Sequence, residues 1–133
     1  MFLSRDDHSG TNIKEQKLWA MSGRAPWEGD SPWYYKYHVF PKEALLKADE
    51  MTLYTITDKG TWLNNKNAIK NSVIYVQGGA ELLNPCFALL TKKPTKRALD
   101  FLNYLKSKRA QALLETFGKD RLGEALFTPA DRP

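Results

Sequence analysis

Residues 2–21 read FLSRDDHSGTNIKEQKLWAM, and this stretch decides how the chain is read. The apolar pair Phe2-Leu3 runs straight into Ser4-Arg5-Asp6-Asp7-His8-Ser9-Gly10-Thr11, a polar turn that holds a glycine. Beyond the turn, Ile13, Lys17, Leu18 and Met21 recur at helical spacing, Trp19 and Ala20 widen the stripe, and Ser22-Gly23 supplies a stop. The order is strand end, loop, helix start. N–H groups in the first turn of a helix have no intrahelical acceptor and lie at the positive end of the helix dipole. Ser9, Gly10 and Thr11 are therefore placed to offer main-chain donors and hydroxyls to an anion. Arg5, on the strand side of the loop, adds a guanidinium able to contact two oxygens at once. The same spacing also fits a purely structural account, in which Ser9 or Thr11 caps the helix and Arg5 pairs with Asp6 or Asp7.

Outward from this stretch, 24–37 is rich in Pro, Gly and aromatics without a period, and is expected to be an ordered loop pinned by Trp27, Trp33, Tyr34 and Tyr35. Pro41 opens a short helix to about Asp49, since its missing N–H would be unpaired there anyway. Thr52–Ile56 alternates like a strand, and Thr57 or Asp58 caps a short helix carrying Trp62 and Leu63. Ser72–Val76 reads as another strand, and Pro85–Leu90 as one buried on both faces. From about Thr95, Leu99, Leu102, Leu105, Leu113, Leu114 and Phe117 follow a helix, with a break near Ser107 and a cap at Gly118. Alternating helices and strands indicate an α/β sheet protein.

Composition sets the outer limits. The 133 residues include four Trp, six Tyr and six Phe, so the chain has the apolar surface that disordered segments lack. Its single cysteine excludes a disulfide scaffold, and Cys86 is expected to pack as a small hydrophobe. No apolar run is long enough to span a bilayer, and charges throughout the first twenty residues do not spell a signal peptide. No membrane insertion is expected. A net charge of +5 favours anionic partners. The densest basic stretch runs from Lys92 to Arg109; it fits a solvated helix face, or a nucleic-acid surface as a rival reading. Asp6, Asp7 and His8 bring carboxylates and imidazole together, as a metal-dependent hydrolase would. Three adjacent residues do not easily face one ion, however, and no HExxH or CxxC spacing exists. No catalytic residue, metal or cofactor is expected.

In order and in spacing, FLSRDDHSGTNIKEQKLW, WYY, LYTITDKGTWL, ELLNPCFALLTK and ETFGKDRLGEALFTP resemble the extracytoplasmic tungstate-binding proteins of ABC transporters. The resemblance covers nearly the whole chain. It implies a type II periplasmic-binding-protein fold, whose two α/β lobes close on a tetrahedral oxyanion held by neutral or positive donors. The family stretch SRGDxSGT falls on Ser4, Arg5, Asp7, Ser9, Gly10 and Thr11. The resemblance makes Arg5 and Ser9 the oxyanion contacts, Gly10 and Thr11 the helix-start donors, and Ser4 a further ligand-binding residue. Asp7 orients the loop, because a bare carboxylate repels a dianion. The sequence departs from the family at Asp6, where the pattern has Gly, and at Val39-Phe40-Pro41, where a Gly-Met-Gly-like turn is usual.

Members of that family are about twice this length, and their first lobe would precede Met1. By the resemblance the chain is a C-terminal half. Residues 1–84 form most of the second lobe with the oxyanion loop, and 85–133 form the return strand and C-terminal helices that pack on the first lobe. The implied ligand is tungstate or molybdate, in the periplasm or outside the cell, with phosphate, sulfate or a carboxylate as alternatives. The implied partners are the missing N-terminal lobe, an ABC transporter permease and a second copy of the chain. Nucleic acid is not among them.

Overall fold

A computed structural model describes residues 1–130 and divides the chain into two compact units, Met1–Pro85 and Cys86–Pro133. The last three residues of the expected 85–133 segment lie outside the described residues. The first unit is built on a three-stranded parallel sheet in which β1 (Phe2–Ser4) lies between β2 (Tyr34–Lys36) and β3 (Tyr54–Thr55). Phe2 pairs with Tyr34 on one side and Tyr54 on the other. Helix α1 (Gly10–Met21) connects β1 to β2, α2 (Pro41–Glu50) connects β2 to β3, and α3 (Lys59–Asn65) follows. Parallel neighbours require such crossovers.

Side chains alternate across a strand, so β1 sends its residues to two different layers. Leu3, fully buried, packs on Ala44 and Ala48 of α2, with Tyr35, Tyr37, Val39 and Leu53 around them. Two alanines four residues apart let that helix approach the strand closely. Phe2 and Ser4 point to the other face. There the Phe2 ring meets Trp19 edge-on at 5.2 Å and stacks on Tyr34 at 5.9 Å. Pro41 sits in the first turn of α2 as its geometry favours, and Asp58 caps α3 by accepting from Thr61 N at 2.8 Å.

The second unit holds α4 (Lys96–Lys106), α5 (Lys108–Thr116) and α6 (Lys119–Leu122). The expected break falls at Ser107, whose extended backbone ends α4 while its hydroxyl caps α5 through Ala110 N. Gln111 braces the corner by donating to Leu105 O at 2.7 Å. Gly118 turns the chain with φ +96°, and a Cβ there would stand 2.8 Å from Leu126 Cγ.

Four expectations are corrected. Residues 34–36, expected in a loop, form strand β2, because Tyr34 and Tyr35 are good strand residues once β1 supplies a ladder. Ser72–Val76 and Pro85–Leu90 are not strands, and the second is not buried: Phe87 is 80% and Leu89 90% exposed. Both have strand composition, but among the described residues neither has a neighbour to pair with. Cys86 is accordingly exposed rather than packed. Finally, the face of α1 that meets the sheet is polar. Asn12 and Glu15 are buried while Ile13 and Met21 are 59% and 64% exposed.

Candidate functional site

Ser9 starts α1. Its backbone is extended, its Oγ accepts from Asn12 N at 3.3 Å and its carbonyl accepts from Ile13 N at 2.8 Å. The cap therefore serves the third N–H of the helix and leaves those of Gly10 and Thr11 without an acceptor among the described residues. Gly10 has a second use: a Cβ there would lie 2.9 Å from Asn84 Nδ2, so the missing side chain lets that amide reach the helix start.

Arg5 stands across the loop from these donors. Its side chain is 13% exposed and forms an ion pair with Asp7 Oδ2, yet its Nε is buried with no hydrogen-bond partner among the described residues. Asp7 Oδ1 accepts from Ser9 N at 3.1 Å, so each of its oxygens holds a donor. Burial pushes the Asp7 carboxyl up, but the Ser9 hydroxyl and N–H together with Arg5 outweigh it and hold it below the usual carboxylate range. Asp7 is thus a fixed anion that ties Arg5 to the helix start. Asp6, between them, has φ +43°, the left-handed region where the family pattern places Gly. Its carboxylate lies 3.6 Å from Lys36 Nζ, whose charge offsets it, and 3.8 Å from His38 Nε2.

The structure brings Arg5, Asp7, Ser9, Gly10 and Thr11 together on one loop, with Ser4 beneath it. A hydroxyl has one donor and two acceptor positions. Ser4 donates to Glu15 Oε2 at 2.6 Å and accepts from Asp6 N at 3.2 Å and Asn12 Nδ2 at 3.3 Å. All three positions are filled by protein. Glu15 also accepts from Asn12 Nδ2 at 3.2 Å, Trp19 Nε1 at 3.2 Å and Tyr34 Oη at 2.6 Å. Burial, reinforced by the hydrogen bond and charge of Glu15, drives the Tyr34 hydroxyl far above its ordinary pKa. Sequence reading missed Asn12, Glu15 and Asn84. Helical spacing assigns the inner face of α1 to Ile13, Leu18 and Met21, and only the pairing of buried Ser4 with a helix three turns long would have pointed to Glu15.

Among the described residues no three His, Cys, Asp or Glu side chains are placed to share a metal ion. His8 faces the loop through its N–H, which donates to Asn12 Oδ1 at 3.1 Å. The basic side chains from Lys92 to Arg109 are all exposed; Lys92 and Lys93 precede α4, and the others are divided between α4 and α5 at Ser107. A cleft of ≈ 520 Å³ opens between the start of α2 and helix α3 and contains no guanidinium.

No protein-family model matches the chain. The tungstate-binding protein TupA of Peptoclostridium acidaminophilum is 36% identical over 135 residues, 96% of this chain and 46% of that protein. The chain is a relative of the tungstate-binding proteins. It spans about half the length of the curated relatives it matches. The tungstate-binding protein TupA from Desulfovibrio alaskensis G20, a solved structure, superposes with TM-score 0.76 at 28% identity, covering 97% of this chain and 54% of its own. A periplasmic protein of known crystal structure superposes with TM-score 0.86 at 40% identity, covering 98% of this chain and 51% of its own. The α/β architecture expected from sequence is that of these periplasmic binding proteins over the shared half. No helix among the described residues is long and apolar enough to cross a membrane.

Proposed function

We propose that the chain binds a tetrahedral oxyanion, tungstate or molybdate, as part of the extracytoplasmic solute-binding component of an ABC transporter. Its role is binding, with no reaction. The observation that carries this reading is the buried, unpartnered Nε of Arg5, which Asp7 ties to a helix start whose Gly10 and Thr11 N–H groups are also unmet among the described residues. A buried donor without an acceptor is costly, and an anion satisfies it together with helix-start N–H groups. Arg5 and Ser9 Oγ are the side-chain contacts, Gly10 and Thr11 give main-chain donors, Asp7 orients Arg5, and Ser4 supports the loop from below. The names of the relatives point to the same ligand.

The choice among anions follows from Asp7. Each of its oxygens holds one protein donor, so a proton carried by phosphate would share an oxygen with Arg5 or Ser9, whereas a fully ionised dianion has no proton to place and is favoured. Calorimetric titration with tungstate, molybdate, sulfate and phosphate is the test. Saturable tungstate or molybdate binding at least tenfold tighter than phosphate is expected; equal or tighter phosphate binding would move the function to the phosphate alternative, and no binding of any anion would remove the reading.

A lobe equivalent to the part of the relatives that this chain does not span completes the site in this proposal, with the transporter permease as the onward partner. Val73, Tyr75, Val76, Phe87 and Leu89 are exposed apolar side chains on segments of strand composition, and unpaired strands associate. Alone in solution at micromolar concentration, the chain is expected to scatter light as a dimer or larger species. A monodisperse monomer would count against an uncovered face.

A further inference from the structure

We infer that Glu15 is a positioning residue for the oxyanion loop, acting through Ser4 and Asn12; the inference rests on the oxyanion reading above. Two non-glycine residues of the loop, Asp6 at φ +43° and His8 at φ +57°, lie in the left-handed region, which side chains with a Cβ disfavour. Such a backbone persists only where its surroundings over-determine it. Each of the two has its N–H held by a buried side chain: Asp6 N donates to Ser4 Oγ at 3.2 Å and His8 N to Asn12 Oδ1 at 3.1 Å. Ser4 is 1% and Asn12 2% exposed.

Both holders end on the same atom. Ser4 Oγ donates to Glu15 Oε2 at 2.6 Å, and Asn12 Nδ2 donates to it at 3.2 Å. The other carboxylate oxygen, Oε1, serves the aromatic layer through Trp19 Nε1 and Tyr34 Oη. Glu15 therefore has a loop side and a core side. Asn12 also gives its own N–H to Ser9 Oγ, so the anchor reaches the cap that sets the orientation of the Gly10 and Thr11 N–H groups. A cradle whose donors are fixed before the ligand arrives spends less binding free energy on ordering them.

The two sides of Glu15 supply the test. Asn12→Ala removes one of the two loop-side donors and leaves Ser4 Oγ on Oε2, and Tyr34→Phe removes one hydroxyl from the core side. Both are compared below their melting transitions, where each is fully folded by circular dichroism. The first readout needs no ligand: hydrogen exchange at Asp6 N and Ser9 N, neither of which loses its own acceptor in either variant. Exchange at both is expected to quicken at least tenfold in Asn12→Ala and by less than twofold in Tyr34→Phe. The second readout is tungstate affinity, expected to fall at least tenfold in Asn12→Ala and to stay within threefold in Tyr34→Phe. A difference between the variants of less than threefold in either readout overturns the inference. If the unaltered chain binds no tungstate, the oxyanion reading fails and hydrogen exchange alone decides this one. Should Asn12→Ala not fold, Asn12→Asp keeps an oxygen for His8 N while removing the amide donor toward Glu15 and Ser4, and the same criteria apply.

Discussion

Arg5→Ala is expected to weaken tungstate binding at least a hundredfold in calorimetric titration, leaving the thermal midpoint of the first unit within a few degrees of its original value. Charge-assisted hydrogen bonds contribute about 1.5–3 kcal/mol each, and a guanidinium offers two in parallel to a tetrahedral anion. Each factor of ten in affinity is about 1.4 kcal/mol. The buried Nε has no other partner among the described residues, so its hydrogen bond to the ligand is gained without breaking one in the protein. Removing Arg5 also leaves Asp7 with the Ser9 donors but no adjacent cation, which puts an uncompensated negative charge beside the dianion. The fold loses less, because Ser9 still caps α1 and Asp7 still holds Ser9 N. Arg5→Lys is expected to fall between, since an ammonium keeps the charge but cannot direct two parallel N–H groups. Binding by Arg5→Ala within tenfold of the original chain would take Arg5 out of the site.

Much of this loop was legible in residues 2–21 because its features are local. A cap, a glycine at a close approach and an arginine two residues before a carboxylate are encoded within a few positions of each other, and Ser9, Gly10, Arg5 and Asp7 stand where those rules put them. What escaped depends on distance along the chain. Glu15 is charged and lies on a helix whose apolar residues follow the usual spacing, so hydrophobicity turned α1 the wrong way round. Its burial makes sense only once Ser4, Asn12, Trp19 and Tyr34 each supply a donor, and Tyr34 is 19 residues away. Strand content was misjudged for the same reason. Composition reports whether a segment suits a pleated surface, not whether a neighbour is present to pair with it, so Tyr34–Lys36 was missed and Ser72–Val76 was counted.

The second large effect concerns stability and falls on Asp49, at the C-terminal end of α2. A carboxylate there is opposed by the helix dipole and, being 5% exposed, has little water to solvate it. The chain after α3 compensates: Asp49 accepts from Lys70 N at 2.9 Å, Asn71 N at 2.8 Å and Ser72 N at 2.6 Å, and its carbonyl accepts from Asn71 Nδ2 at 3.1 Å. Burial pushes its carboxyl up, but the three N–H groups and the Ser72 hydroxyl overcome this and bring it down to about 2. Asp49→Ala leaves those donors without their acceptor and is expected to cost about 3 kcal/mol in urea unfolding at pH 7. All four tryptophans lie within Met1–Pro85, so their fluorescence follows this unit and not the C-terminal helices. The pH dependence has a definite sign. The folded pKa lies below the unfolded value of 3.8, so the contribution is fully present above about pH 4 and is lost as the pH falls toward 2. Asp49→Asn is expected to be less stable than the original chain at pH 7, with the gap narrowing across that window because the amide does not titrate. A gap constant from pH 7 to pH 2 would show that the carboxylate charge is not what holds residues 70–72. Tungstate affinity at pH 7 is expected to stay within threefold in Asp49→Asn, since Asp49 bonds to none of the loop residues; a loss matching that of Arg5→Ala would mean that the 70–72 anchor and the oxyanion loop move as one.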